Sequence, residues 1–315
     1  MRRACGKEAA MAKIVKKKNV SVRYYTKPKD YLYMALVHIL CAVSVICIMI
    51  PLIYVVAASF SSPKALLSGR VFLLPVDFTL RGYKMLLQHQ LLVTGFGNSL
   101  LYTVVGTVIN LVMTVLAAYP LSRKDLAIRN PIMLLFTFTM LFNGGMIPTY
   151  ILIKNLGMLD SIWALVIPTS ISVWNLIITR TYFQSTIPGE VQESASVDGC
   201  DDFTFLIKIA IPLAKPILAV NVLLYAVGHW NSYFNEMMYL STNTKFPLQL
   251  VLREILVNMG TAGMTLDVTK QLEMQETKYL LQYSSIIVGS VPVMLLYPFV
   301  QKYFVKGIMV GAIKG

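Results

Sequence analysis

Side chains able to do chemistry are sparse in this sequence and concentrated in two places. Glu190, Glu193, Asp198, Asp201 and Asp202 put five of the fifteen acidic residues within thirteen positions. An adjacent pair such as Asp201-Asp202 is what general acid–base chemistry needs, and a glycosyl transferase would place it at its active face. The same cluster, on an amphipathic segment, is what a basic protein surface docks against. The second place is a polar stripe, in which Asn221, Tyr225, His229, Tyr233 and Glu236 follow one another at intervals of four, four, four and three. That spacing puts all five on one face of a helix. Amide, hydroxyl, imidazole and aromatic groups together suit sugar recognition; within a membrane they equally serve to hydrogen-bond neighbouring helices, and the spacing does not separate the two. Other chemistry lacks its parts. There is no GxxxxGK[ST] phosphate loop and no HExxH helix, and histidine occurs only as His38, His89 and His229. Cys5, Cys41, Cys47 and Cys200 form no CxxC pair, so neither a disulfide framework nor a metal site is expected.

The elements that carry these residues are apolar. Of 315 residues 56% are hydrophobic and 14% charged, against about 25% charged in a soluble domain. Six windows are long enough to cross the roughly 30 Å of hydrocarbon in a bilayer, at approximately 33–60, 98–120, 131–153, 162–183, 211–240 and 281–303. The fold class expected is therefore an all-α membrane protein of six transmembrane helices. The first window is too long for the apolar region of a signal peptide, about 7 to 15 residues, and reads as an anchor. Flanking it are a basic N-terminal arm at 1–30 and, after a membrane domain at 31–305, a short tail at 306–315.

Orientation follows from Lys and Arg, which gather on the cytoplasmic side. Residues 1–30, 121–130, 180–208 and 302–315 carry 18 of them, whereas 61–97, 154–161 and 241–280 carry nine. Both termini and the acidic segment are thus expected in the cytoplasm. The arm, with Lys16, Lys17 and Lys18, lacks the interleaved aromatics of a nucleic-acid binder and suits lipid headgroups. Five acids on an otherwise positive face are not explained by lipid.

The acidic segment carries a recognisable pattern. Glu193-Ser194-Ala195, three residues, Gly199, nine residues, then Ile209-Ala210-Ile211-Pro212 resembles the EAA loop of bacterial ABC importer membrane subunits, with Ser194 and Ile211 as mild departures. Phe142-Asn143-Gly144-Gly145-Met146-Ile147-Pro148, Gly228-His229-Trp230-Asn231-Ser232-Tyr233 and Pro247-Leu248-Gln249-Leu250 are similar to the oligosaccharide branch of the maltose-type importers, and the end, Gly307 to Gly315, is similar to the tail of the shorter of their two membrane subunits. The resemblance covers nearly the whole chain from the first window on. It implies a type I importer subunit in the bacterial cytoplasmic membrane. Its partners would be a homologous permease subunit, two ATPase subunits that bind ATP and Mg, and an extracytoplasmic sugar-binding protein. This chain itself would hold no cofactor and be no enzyme. It further implies that 188–212 docks on the ATPase as two short helices joined at Gly199, with Glu193, Ser194, Ala195, Asp198, Phe203, Ile209 and Pro212 as coupling residues. Phe205 is expected beside Phe203 as a groove anchor. In that family the tail reaches between the ATPase domains, part of the 241–280 segment dips into the binding protein, and most sugar contacts within the membrane come from the longer partner subunit.

A secondary transporter is the alternative of a different class. It usually depends on carboxylates within the membrane, and only Glu236 lies near a window. Asn143-Gly144-Gly145 and Pro148 interrupt the third window, as a hinge or as a site of close helix packing.

Overall fold

The computed structural model describes the backbone of residues 28–261 and 268–312, with side chains over 31–257, 275–298 and 301. The basic arm before Pro28, Gly263 and the last three residues lie outside the described residues. The chain divides into two compact units, Met1–Tyr54 and Val55–Gly315, and each is taken by itself.

All described elements are helical. The main ones are α1 (Pro28–Ser59), α2 (Gln90–Ser122), α3 (Arg129–Leu141), α4 (Met146–Asn155), α5 (Val173–Thr186), α6 (Gly189–Val197), α7 (Lys215–Asn231), α8 (Leu248–Thr261) and α9 (Val268–Ala312). The first unit is dominated by α1, whose most apolar stretch has a mean hydropathy of 2.9 and no buried residue. In lipid such a surface is solvated by acyl chains and needs no protein cover.

In the second unit α2 is the central helix, packed against α5, α7 and α8. Its buried residues include Ser99, Thr103, Gly106, Thr107, Asn110 and Thr114, small or polar groups that let membrane helices approach closely. Gly106 is required for a specific reason: a Cβ there would lie 2.5 Å from His229 Nε2.

The six expected spans are not six straight helices. Among the described residues three helices are long and apolar enough to cross a bilayer, Tyr31–Ser59, Gln90–Ser122 and Gln275–Pro298, and five if each of two bent pairs is one span. The third window is one such pair, with α3 and α4 meeting at 112°. Gly145, at φ +90°, makes that corner, and its N–H is held by Asn143 Oδ1 at 2.8 Å. The fourth window loses length because only Trp163–Val166 and α5 are helical within it. At about 1.5 Å per residue a 14-residue helix falls short of the bilayer. The fifth window is broken into Ile211–Leu213, Lys215–Asn231 and Phe234–Tyr239, and the segment Asp202–Leu213 meets Lys215–Asn231 at 81°. The sixth lies within α9, which continues to Ala312, so most of the tail expected at 306–315 extends this helix.

Two clusters of buried side chains mark opposite ends of α2. Leu92 and Tyr102, near its start, pack with Ile153, Trp230, Tyr239, Phe246 and Leu250. Val115, Ala118, Tyr119 and Leu121, near its end, pack with Leu176, Phe183, Phe205, Leu206 and Ala210.

Candidate functional site

The pattern around Glu193 folds as a helix, a glycine corner and a second helix, and local chemistry dictates each step. Helix α6 ends with Asp198 N–H donating to Ser194 O, Gly199 N–H to Ser196 O and Cys200 N–H to Ala195 O. This is a Schellman closure, which needs a left-handed residue after the cap, and Gly199 supplies it at φ +77°. The chain restarts at Asp201, whose carboxylate accepts from Phe203 N–H at 3.2 Å and Thr204 N–H at 3.1 Å. That N-cap serves the helix Asp202–Phe205, which runs on through a π turn at Leu206–Ala210 to Leu213. Hydrogen bonds from Thr204 and Phe203 hold the Asp201 carboxyl below its usual range.

This element has two faces. Glu193, Ser194, Asp198, Gly199 and Pro212 are exposed, and Val197 and Phe203 present apolar side chains at 87% and 64% exposure. Inward, Ala195 and Ile209 pack against the cluster formed by Phe205, Leu206 and Ala210. Phe205 therefore corrects the expectation of a groove anchor, since it is buried and stacks on Tyr119 with ring centres 6.3 Å apart. The period of the helix decides this: Phe203 and Phe205 lie two residues apart and so point to different sides.

What fixes the element to the membrane helices was not legible in the sequence. Arg123, the cap residue at the end of α2, pairs with Asp202 and donates through Nε to Asp125 at 2.9 Å. With the Gln192 amide turned to satisfy both groups, its oxygen also accepts from Arg123 Nη2 at 2.8 Å. The guanidinium lies over the Tyr119 ring at 6.0 Å. Hydrogen bonding to Asp125 raises Arg123 above its ordinary value and lowers Asp125 in turn. Asp202 thus serves the fold, which leaves Glu190, Glu193 and Asp198 as the outward carboxylates. Asp201 and Asp202 act as cap and ion pair, and are not a catalytic dyad.

The stripe on α7 resolves residue by residue. Asn221 Nδ2 donates to Thr179 Oγ1 of α5 at 2.6 Å. The Tyr225 hydroxyl accepts from Ser172 N–H at 3.2 Å and meets Thr114 Oγ1 of α2 at 2.6 Å. His229 Nε2 donates to Asn110 Oδ1 at 2.8 Å, a tautomer that follows because the Asn110 amide nitrogen is committed to Thr169 O. All three tie α7 to its neighbours, as buried polar groups in membrane bundles commonly do. Tyr225 and His229 also border a cavity of about 420 Å³. Tyr233 leaves the stripe, because α7 stops at Asn231 and Tyr233 lies exposed under the Arg253 guanidinium at 5.6 Å. Glu236, outside the helix register as well, is buried and accepts from Ser232 Oγ at 2.9 Å.

At the other end of α2 Asp160 makes a clasp that no pattern announced. Its carboxylate accepts from Ser241 N–H at 3.0 Å, Thr242 N–H at 3.1 Å and Lys245 Nζ at 2.7 Å. Asp160 holds φ at +57°, a conformation that costs a non-glycine residue about 1 to 2 kcal/mol. The bond from Lys245 and those from Thr242 and Ser241 keep its carboxyl far below the ordinary range.

Bent apolar helices around a polar interior, with an exposed helix–glycine–helix element at one end, define a membrane transport subunit. Comparisons with known proteins place it within that class. No family model matches the chain. It is 40% identical over 273 residues to the polygalacturonan/rhamnogalacturonan transport system permease protein YtcP of Bacillus subtilis (strain 168), a match covering 86% of this chain and 94% of that protein. To the protein LplC of the same organism it is 38% identical, over 84% of this chain and 89% of LplC. The fold matches a chain in the crystal structure of a bacterial ABC transporter involved in the import of the acidic polysaccharide alginate, with a TM-score of 0.78, 35% identity, and coverage of 89% of this chain and 99% of that one. The chain belongs to the ABC importer permease family. It is a transport component and not an enzyme, and the secondary-transporter alternative finds no support among these relatives.

Proposed function

We propose that this chain is one of two homologous permease subunits of an importer that takes oligosaccharides released from polysaccharides into the cell. It cannot transport alone: two ATPase subunits, holding ATP and Mg, supply the energy, and an extracytoplasmic binding protein delivers the sugar. The names of YtcP and of the alginate transporter support the substrate class. Lys and Arg counts support a cytoplasmic position for both termini and for the 188–212 element.

The observation that carries the coupling role is the division of that element into two faces. Its inner face is fixed to α2 through Arg123, while Glu193, Val197 and Phe203 point outward from a well-packed base. A docked ATPase groove would enclose the Phe203 ring, with Glu193 paired to a basic residue at its rim. Closure of the ATPase dimer on ATP would then move α2 and α7 together, because Arg123, Asp202 and the bend before Lys215 connect them. The test is ATPase activity in proteoliposomes holding this chain with co-expressed partner subunits. Stimulation only by a binding protein loaded with an oligosaccharide supports the reading. Flux through this chain alone, with no co-purifying ATPase, overturns it.

A further inference from the structure

Two cavities adjoin within the Val55–Gly315 unit. One, of about 420 Å³, takes in Trp174, Tyr225, His229 and Glu236. The other, of about 590 Å³, runs along the corner at Asn143–Gly145 to Tyr239. Thr169 and Asn235 line both, so the spaces meet at these two residues. Each lies in the range of roughly 300 to 1,000 Å³ that small-molecule sites occupy.

The lining has a distinctive chemistry. Trp174 lines the first cavity and is 59% exposed, so its indole is accessible there. Glu236 is 5% exposed, and Ser232 Oγ is its hydroxyl partner. A carboxylate offers about four acceptor sites, which leaves room for further donors. Among the described residues that line either cavity there is no Lys or Arg. Sugar hydroxyls could therefore donate to Glu236 while the ring's C–H face rests on Trp174. A uronate carboxylate would meet a like charge at Glu236, and no Lys or Arg among the described lining residues offsets it.

We infer that this cavity is a sugar subsite belonging to this chain itself, and that it takes an uncharged sugar unit and rejects a uronate, with Trp174 as stacking surface and Glu236 as hydroxyl acceptor. The inference rests on the carbohydrate reading above and departs from the expectation that the partner subunit makes most of the contacts. It also means that an acidic oligosaccharide would have to carry its carboxylates elsewhere in the passage.

The test uses the assembled importer held with a non-hydrolysable ATP analogue and no binding protein, so that the latter's preference does not enter. α-1,4-Linked galactotetraose and tetragalacturonate, which differ only at C6, are titrated against the indole emission lost in Trp174→Phe. The expected result is galactotetraose binding at least about ten-fold tighter than tetragalacturonate, with Glu236→Gln narrowing the ratio to about two-fold. Asn235→Asp, which adds a negative charge where the cavities meet, should widen it, and this variant decides the matter if Glu236→Gln fails to assemble. Equal or tighter binding of tetragalacturonate, a ratio insensitive to both substitutions, or no binding of either sugar overturns the subsite. Failure of the carbohydrate reading is distinguishable, since no sugar-loaded binding protein would then stimulate the wild-type ATPase.

Discussion

The two ends of α2 are held by the same kind of interaction put to opposite uses. At the end near Leu121, Arg123 gathers carboxylates from its own loop and from the 188–212 element, and beyond that knot Glu193, Val197, Asp198 and Phe203 are left exposed. At the start, Asn98 Nδ2 donates to Phe246 O at 3.1 Å and the Tyr102 hydroxyl to Lys245 O at 2.9 Å, while Asp160 closes the 241–245 turn. Here the polar groups are consumed internally. One end leaves Glu193, Val197 and Phe203 exposed, the surface that the proposed coupling scheme gives to another protein, and the other is a latch whose donors and acceptors serve its own chain. On the proposed scheme, a rigid helix between the two ends is what alternating access needs, since a push at one end must reach the other without being absorbed.

The comparison breaks first at Glu193, where the largest effect is expected. Glu193→Lys should leave membrane insertion intact and abolish transport, because losing a desolvated interface pair costs about 2 to 5 kcal/mol. Co-purification of the ATPase with the variant measures this, and wild-type transport by the variant would remove the outward face from the coupling scheme. Arg123 comes next. Arg123→Ala frees Asp202 and Gln192 and should weaken ATPase co-purification by about ten-fold, from roughly 1 to 2 kcal/mol of charged hydrogen bonds discounted for their exposed carboxylates. Arg123→Lys should recover only part of this, since a point charge cannot span Asp125 and Asp202 as the guanidinium fork does. Equal recovery by lysine would show that only charge matters there.

How far each end was legible in the sequence follows from the same contrast. The outward face was legible because it is local: Glu193, Gly199 and Pro212 lie within one short segment whose glycine has a geometric task. The latch was not, because Asp160 and Lys245 are 85 positions apart in the chain, and no periodicity joins them. The polar stripe was legible as far as α7 extends and failed at Tyr233, where Ser232 caps the helix and ends the register. Two of the six apolar windows became bent pairs for a related reason: hydropathy records where a chain can be buried, but not that Gly145 turns α3 into α4. Phe205 was misplaced because composition marks an aromatic residue without marking its side of the helix.

Gly199→Ala isolates the corner. No atom lies within 4 Å of the position its Cβ would take, so the substitution adds left-handed strain of about 1 to 2 kcal/mol and removes no contact. Transport should fall several-fold with normal insertion, and Gly199→Asn should lose less than Gly199→Ala, since asparagine tolerates that conformation better. Identical losses would mean that the corner's conformation is not what limits docking.

The smallest effects belong to the latch and to acid. Asp160→Asn keeps the shape of the carboxylate and removes its charge, so Lys245 loses its ion pair while Ser241 and Thr242 keep an acceptor. Cleavage of the 241–245 turn by an added protease should quicken a few-fold, with ATPase co-purification unchanged. The same latch fixes a pH expectation. The carboxyl of Asp160 is depressed from 3.8 by its bonds to Lys245, Thr242 and Ser241, and a depressed carboxyl stabilises the fold above its unfolded value and loses that contribution only as pH falls below it. Asp201, depressed by its cap bonds, behaves alike at the other end. Protection of both loops should therefore stay flat between pH 7 and about pH 5 and decline only below about pH 4. An acid response at the latch no larger than that of Asp160→Asn would mean that Asp160 has lost Lys245 in the working importer, because a carboxyl back at its ordinary value contributes no pH dependence, and would turn a fixed clasp into a moving one.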